Sequence, residues 1–126
     1  PVKRVVNCGG IAARNALVMQ IYADVLNRPL AIAKSLQTCA LGSAMAAAVV
    51  AGRERGGFAD FASAIAVMGG VQPRVYTPDP GHAAVYERLF HLYRQAHDAF
   101  GIAGHKADLS NVMKELLAIR DEVARV

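Results

Sequence analysis

A helix-rich α/β fold, with two short strands and about five helices, is what this 126-residue sequence predicts. Three observations carry that expectation. A valine-containing segment ends in Cys8-Gly9-Gly10, hands over to an amphipathic stretch, and is followed by a second short apolar run. The second half has helical spacing and helix-type stops almost throughout. The chain is 54% hydrophobic but only 6% aromatic, with no Trp, so its core must be made mostly of Ala, Val, Leu and Ile. A charged fraction of 19% excludes a disordered tail. The length suits one domain with a sizeable core, not a two-lobed enzyme.

Residues 3–7 carry two adjacent valines before the glycines and read as a short buried strand. From Ile11 to Leu26 there is no Gly or Pro, and Ala13, Leu17, Ile21 and Val25 recur every fourth residue. That spacing predicts one continuous amphipathic helix, ended by Asn27 and by Pro29. Residues 29–34 read as a second strand, at or near a sheet edge because of the leading proline. Strand, turn, helix and strand in that order suit a right-handed crossover.

Residues 35–52 carry no charge, but Ser35, Gln37, Thr38 and Ser43 interrupt the apolar run. A membrane span needs about 20 predominantly apolar residues. The small residues from Ala40 to Ala51 predict instead a helix lying close against a sheet. Residues 53–57 form a polar loop, and residues 58–68 a short helix stopped by Gly69-Gly70. Asp79 and Pro80 fit the N-cap and first position of a long helix that Gly101 ends. Tyr86, Leu89, Phe90, Tyr93, Ala96 and Phe100 share one side of it. A last helix, opened by Asp108 or Ser110, places Leu109, Val112, Met113, Leu116, Ile119 and Val123 on a buried side.

The formal charge of +4 is unevenly spread. Residues 1–56 hold seven basic and two acidic residues, and residues 57–126 hold seven and eight. An anionic ligand finds the better field over the first half. The basic residues are scattered without aromatic interleaving, which argues against nucleic acid. No leader follows Pro1 and Val2, and a strand from the very start suggests a piece of something longer. Cys8 and Cys39 make no disulfide framework. They read as reduced, buried thiols of a cytoplasmic protein.

Little else in the chain points to chemistry. His82, His91, His97 and His105 have no i, i+4 pair and no completing ligand, so no metal site is expected. No Gly-x-Ser-x-Gly elbow and no catalytic base stand out. Gln20 and Asp24, four apart, read as a capping or inter-helix hydrogen bond and not as a site. The Gly9-Gly10 turn is the most informative local feature. Backbone without side chains at the start of a helix can lie against a ligand, although an unliganded tight turn satisfies the same spacing. It matches neither the dinucleotide fingerprint nor the phosphate loop. Asn15, one turn into the expected helix, can donate and accept at once, which suits an adenine edge or ribose hydroxyl. An exposed helical Asn is the plainer reading.

Taken together, residues 8–15 (Cys-Gly-Gly-Ile-Ala-Ala-Arg-Asn), Met19-Gln20 and residues 23–29 resemble the adenosine-side motif of the FGGY carbohydrate kinases. Residues 39–44 resemble the segment that follows it there. The Gly-Gly-Ile-Ala-x-x-Asn form, Leu26-Asn27-Arg28-Pro29, and the stretch from Met113 to Glu122 are most similar to the branch of that family that phosphorylates ribulose. Tyr76-x-Pro78, with Tyr86 and Tyr93 beyond, fits the same region.

The resemblance implies the C-terminal part of an actin-like, ribonuclease H-like ATPase domain, covering residues 1–126 of the family's second, nucleotide-binding domain. It implies ATP or ADP with Mg²⁺ as the bound group, with the metal ligands elsewhere. Gly9 and Gly10 would let backbone approach the nucleotide, Ile11 would border it, and Asn15 would contact adenine or ribose. Gly42 would lie in a second loop beside the pocket. The family's phosphate loop, sugar-binding residues and catalytic aspartate have no counterpart here. The chain alone is therefore expected to be inactive, with nucleotide as its partner and the sugar held by another domain. The parent activity implied is conversion of L-ribulose to L-ribulose 5-phosphate in arabinose catabolism. A xylulokinase-like relative and a non-catalytic interaction module on the same scaffold are the alternatives. A sheet cut short exposes an edge, so self-association is expected as well.

Overall fold

A computed structural model describes Val2 and residues 4–125. Lys3, included in the expected first strand, lies outside the described residues. The chain divides into two compact units, the first ending at Pro78 and the second beginning at Asp79.

In the first unit, β1 (Val5–Asn7) leads into α1 (Gly10–Arg14) and α2 (Ala16–Leu26), and then into β2 (Leu30–Ala33). β1 and β2 are parallel, with Val6 opposite Ala31, as a crossover connection requires. The expected single helix is broken at Asn15, which adopts φ −122° and ψ 89°. Its N–H still bonds the Ile11 carbonyl at 2.9 Å, closing α1. Its side-chain oxygen accepts from the Val18 N–H at 3.1 Å, opening α2. Asn offers the backbone a local alternative to the helical ladder, and here that alternative wins. α2 ends as its sequence predicts, with Asn27 in the left-handed region at φ 45° and the Arg28 N–H bonded to the Ala23 carbonyl.

β2 is the central strand, not an edge, in the order β1-β2-β3. Pro29 stands just outside it, so every ladder donor of Leu30–Ala33 is kept. β3 (Val71–Tyr76), antiparallel to β2, is a third strand beyond the two expected. Its pairing is irregular between Ala31 and Ala33, opposite the segment that holds Pro73. Proline has no N–H to give the ladder, so a bulge on an outer strand is where it fits. The Gln72 side-chain amide bonds the Ala33 carbonyl at 3.4 Å beside the irregularity.

The core of this unit lies between α1, α2 and the sheet. Ala12, Met19, Ala23, Leu30, Ile32 and Tyr76 are buried together, with Val5 and Val18 packed against them. α3 (Thr38–Ala51) packs chiefly against α4 (Phe61–Met68) instead of lying along the sheet as expected. After α3 the chain makes a 3₁₀ turn, Arg53–Arg55, and folds back so that the Phe58 N–H reaches the Ala48 carbonyl at 3.0 Å. A Cβ on Gly57 would collide with that same carbonyl, so only glycine fits. Asp60 and Ser63 cap α4 reciprocally, each side chain bonded to the other's backbone N–H.

The second unit is a helical hairpin of α5 (Pro80–Gly101) and α6 (Val112–Val123). Asp79 accepts from the His82 N–H at 3.0 Å and Pro80 occupies the first turn, as their order predicts. α6 starts at Val112, later than Asp108 or Ser110; the Asp108 carboxylate instead closes a local turn onto the Ser110 N–H. Leu109, Val112, Leu116 and Ile119 are sheltered, whereas Met113 and Val123 face solvent. Arg88 and Glu122 join the two helices at 2.7 Å. The observed fold is α/β with six α-helices and three strands among the described residues. No helix among them is long and apolar enough to cross a membrane.

Candidate functional site

The turn after β1 is built by the last residue of that strand. Asn7 accepts from the Cys8 N–H at 2.8 Å through its side-chain oxygen. Its amide nitrogen meets the sulfur of buried Met19 at 3.3 Å. The end of the strand is thereby fastened to the start of α2, and the chain turns sharply between them. Gly9 then takes φ 90° and ψ 179°, a conformation essentially confined to glycine. Asn7 belongs to none of the motifs named above, yet it builds this turn. An Asn two residues before Gly-Gly at a strand end is the signal that marks it.

Four of the five expected site residues lie on this one turn and the short helix behind it. A Cβ placed on Gly9 or on Gly10 would meet nothing within 4 Å, so the backbone there faces open space. Ile11 is 68% exposed and extends an apolar surface beside it. Asn15 is exposed at the α1–α2 break, not inside a helix, and its oxygen is already occupied by the Val18 N–H. Its side-chain amide nitrogen is a donor as well, so the residue can donate from this position.

Gly42 is placed differently from expectation. It lies within α3, not in a loop, and it is exposed. Helix-forming neighbours carry the α-helix through it despite a cost of about 1 kcal/mol for glycine. α3 itself begins at Thr38, one residue before the Cys39-to-Ala44 segment.

Gln20 and Asp24 bond each other within α2 at 2.8 Å, and the Gln20 amide also reaches the Thr77 carbonyl at 2.8 Å. Asp24 is the one buried charged residue of those described. This polar arrangement fixes the residues beyond β3 against α2. The two cysteines are free and exposed, not buried as expected, since each stands in a turn or first helical turn at the surface. No group of three or more His, Cys, Asp or Glu gathers among the described residues. Neither the cavity lined by Phe100, His105 and Leu109 nor the one near the chain start includes residues of the Gly9-Gly10 turn. The latter, of about 160 Å³, is lined by Val2, Arg4, Val5, Arg28 and Pro29, at the opposite end of β1.

Residues 1–51 match the C-terminal domain of the FGGY family of carbohydrate kinases. That match ends with the last residue of α3. Ribulokinase of Geobacillus thermodenitrificans is 49% identical over 94 residues, 75% of this chain and 17% of that protein. Ribulokinase of Halalkalibacterium halodurans is 44% identical over 113 residues, 90% of this chain and 19% of that protein. Ribulokinase of Bacillus licheniformis is 36% identical over 121 residues, 96% of this chain and 21% of that protein. The chain thus spans only 17% to 21% of the length of these relatives. The strand–glycine–helix segment that forms the candidate site falls inside residues 1–51, the part of the chain that matches the C-terminal domain of the FGGY family of carbohydrate kinases.

Proposed function

We propose that this chain is the adenosine-facing part of the second domain of an ATP-dependent sugar kinase. The whole enzyme would act in the cytoplasm on L-ribulose, giving L-ribulose 5-phosphate in arabinose catabolism. The observation that carries this reading is the juxtaposition of bare Gly9-Gly10 backbone, exposed Ile11 and the Asn15 amide donor on one turn. Similarity to ribulokinases at 36% to 49% identity supports the choice of sugar.

In this reading the Gly9 and Gly10 backbone and Ile11 border the adenine and ribose, Asn15 donates a hydrogen bond to them, and Gly42 on α3 flanks the pocket. When bound, MgATP supplies the phosphoryl group and the metal that neutralises its charge. The residues of this chain only hold and orient the nucleoside end. Positioning the γ-phosphate, the metal and the attacking hydroxyl together requires groups from the rest of the enzyme, so the chain alone transfers no phosphoryl group. The open edges of the three-stranded sheet also fit self-association or pairing with a neighbouring strand.

Calorimetric titration of MgADP into the chain tests the site. Asn15→Ala removes both the α2 cap and the amide donor, whereas Asn15→Ser keeps an N-cap acceptor and replaces the amide donor by a shorter hydroxyl that cannot reach as far. Binding that falls about tenfold in both variants, with α2 helicity kept in Asn15→Ser, is the expected result. Binding unchanged in Asn15→Ser would take Asn15 out of the site. ATP-dependent phosphorylation of L-ribulose by the chain alone would overturn its assignment as inactive.

A further inference from the structure

The α5 helix carries an aromatic seam that its own hairpin leaves open. Ala83, Tyr86, Phe90, Tyr93, His97 and Phe100 follow one another at spacings of three and four residues along the 22-residue helix. That is the spacing of a helix–helix seam, repeated over five turns. Phe90 is 51% exposed, Tyr93 62% and Phe100 86%. The Phe90 and Tyr93 rings stack at 6.3 Å, and Tyr93 lies 5.8 Å from the His97 ring, so the side chains already form one continuous surface. One flank of the seam is occupied: Leu89 and Ala96 are sheltered within the chain. The other flank is open and carries Glu87 and Arg94, one of each sign, seven residues apart.

We propose that this seam is an isologous interface in which α5 pairs antiparallel with α5 of a second copy of the chain. A two-fold axis between Phe90 and Tyr93 sets Phe90 of each copy against Tyr93 of the other, and Tyr86 against His97. The same operation brings Glu87 of one copy to within about 3 Å, along the axis, of Arg94 of the other. It does so twice, because the symmetry repeats the pair. Charge complementarity therefore selects a second copy in the antiparallel sense. A parallel pairing would instead set Glu87 beside Glu87 and Arg94 beside Arg94. Ala83 is already buried in one copy, so the shared contact runs from Tyr86 to His97. This interface does not depend on the kinase reading, and it is separate from pairing at the sheet edges.

Sedimentation of the 126-residue chain over a dilution series tests the proposal. The chain is expected to dimerise reversibly. Phe90→Lys and Tyr93→Lys, both at solvent-facing positions, should weaken the dimer by about a hundredfold or more while leaving helicity intact. Glu87→Arg or Arg94→Glu alone should weaken it by about tenfold, since each places like charges together twice. The double reversal should recover affinity to within about threefold. Within one helix that double variant is worse placed: it faces His91 from position 87 and Asp98 from position 94 with charges of the same sign. Recovery can thus come only from the partner copy. A monomeric chain, or a dimer indifferent to Phe90→Lys, overturns the proposal. So does a double variant that remains as weak as the single ones. Loss of the dimer in Val6→Pro with none in Phe90→Lys would assign association to the sheet edge instead.

Discussion

The residues up to Pro78 enclose a buried core, whereas those from Asp79 onward bury only Ala83 and Ile119 among their described apolar side chains. In the first unit Met19, Ala23 and Leu30 are essentially inaccessible, because a central strand is covered by two helices joined through a tight turn. In the second, two helices share one narrow stripe and leave Phe90, Tyr93, Phe100, Met113 and Leu117 in solvent. Two antiparallel helices cannot shelter more than one stripe each. The lesson is that the site rests on a unit with its own core, while the hairpin carries surface suited to a partner. The FGGY match falls entirely within the first unit, and the ribulokinase similarity continues past it.

The comparison breaks most visibly at Met19. Its sulfur holds Asn7 and its side chain fills the space between α2 and the sheet. Met19→Ala should cost about 2–5 kcal/mol in a denaturant melt, through lost burial and the cavity left behind. Hydrogen exchange at Ala23, Leu30 and Ile32 should accelerate, with α5 amides little changed. Equal acceleration in α5 would show that the two regions unfold as one cooperative body.

A smaller loss is expected at Gly57, where the first unit has no room. Gly57→Ala forces a methyl group onto the Ala48 carbonyl, so the return of the chain onto α3 must shift. About 2 kcal/mol is expected, read as a lower thermal midpoint. Gly104→Ala in the hairpin meets no atom within 4 Å and tests the contrast. Its cost should come only from the positive φ of 76°, about 1 kcal/mol. If the two substitutions cost the same, the Gly57 clash is relieved by easy backbone movement.

Much of this architecture was legible in the sequence where the local signals agree. Val5-Val6 before Gly9-Gly10, Asn27 with Pro29, and Asp79-Pro80 all placed element ends well. Asn15 misled because a fourfold apolar repeat continues through it, whereas the side chain's bond to Val18 outweighs that pattern. β3 was missed because Pro73 and Arg74 interrupt it, and only its position at the sheet edge tolerates them. Phe90, Tyr93 and Phe100 have the spacing of a buried face, yet nothing local says whether the partner lies within the chain. Gly9 and Gly10 could be placed at a turn from sequence, but the open space above them belongs to tertiary structure.

The smallest effects concern carboxylates, and they sharpen the comparison by acting on both units with different partners. In the first unit the Ser63 backbone N–H, followed by its hydroxyl, holds the Asp60 carboxyl below its ordinary value of 3.8. In the second, the His97 side chain lowers Asp98 and the Ser110 hydroxyl lowers Asp108. A carboxyl whose folded value is depressed stabilises the fold fully above its unfolded value. That contribution disappears as pH falls through the lower folded value. Asp60 should therefore keep α4 capped at neutral pH and release it only below about pH 4. Asp60→Asn retains a capping oxygen without the titration, so its α4 amide shifts should stay flat over that range. Carboxyl resonances followed by NMR from pH 6 downward report each group separately. An Asp60 midpoint at or above 3.8 would mean that the Ser63 bonds do not favour the charged form, and the reciprocal cap of α4 would then contribute no pH dependence.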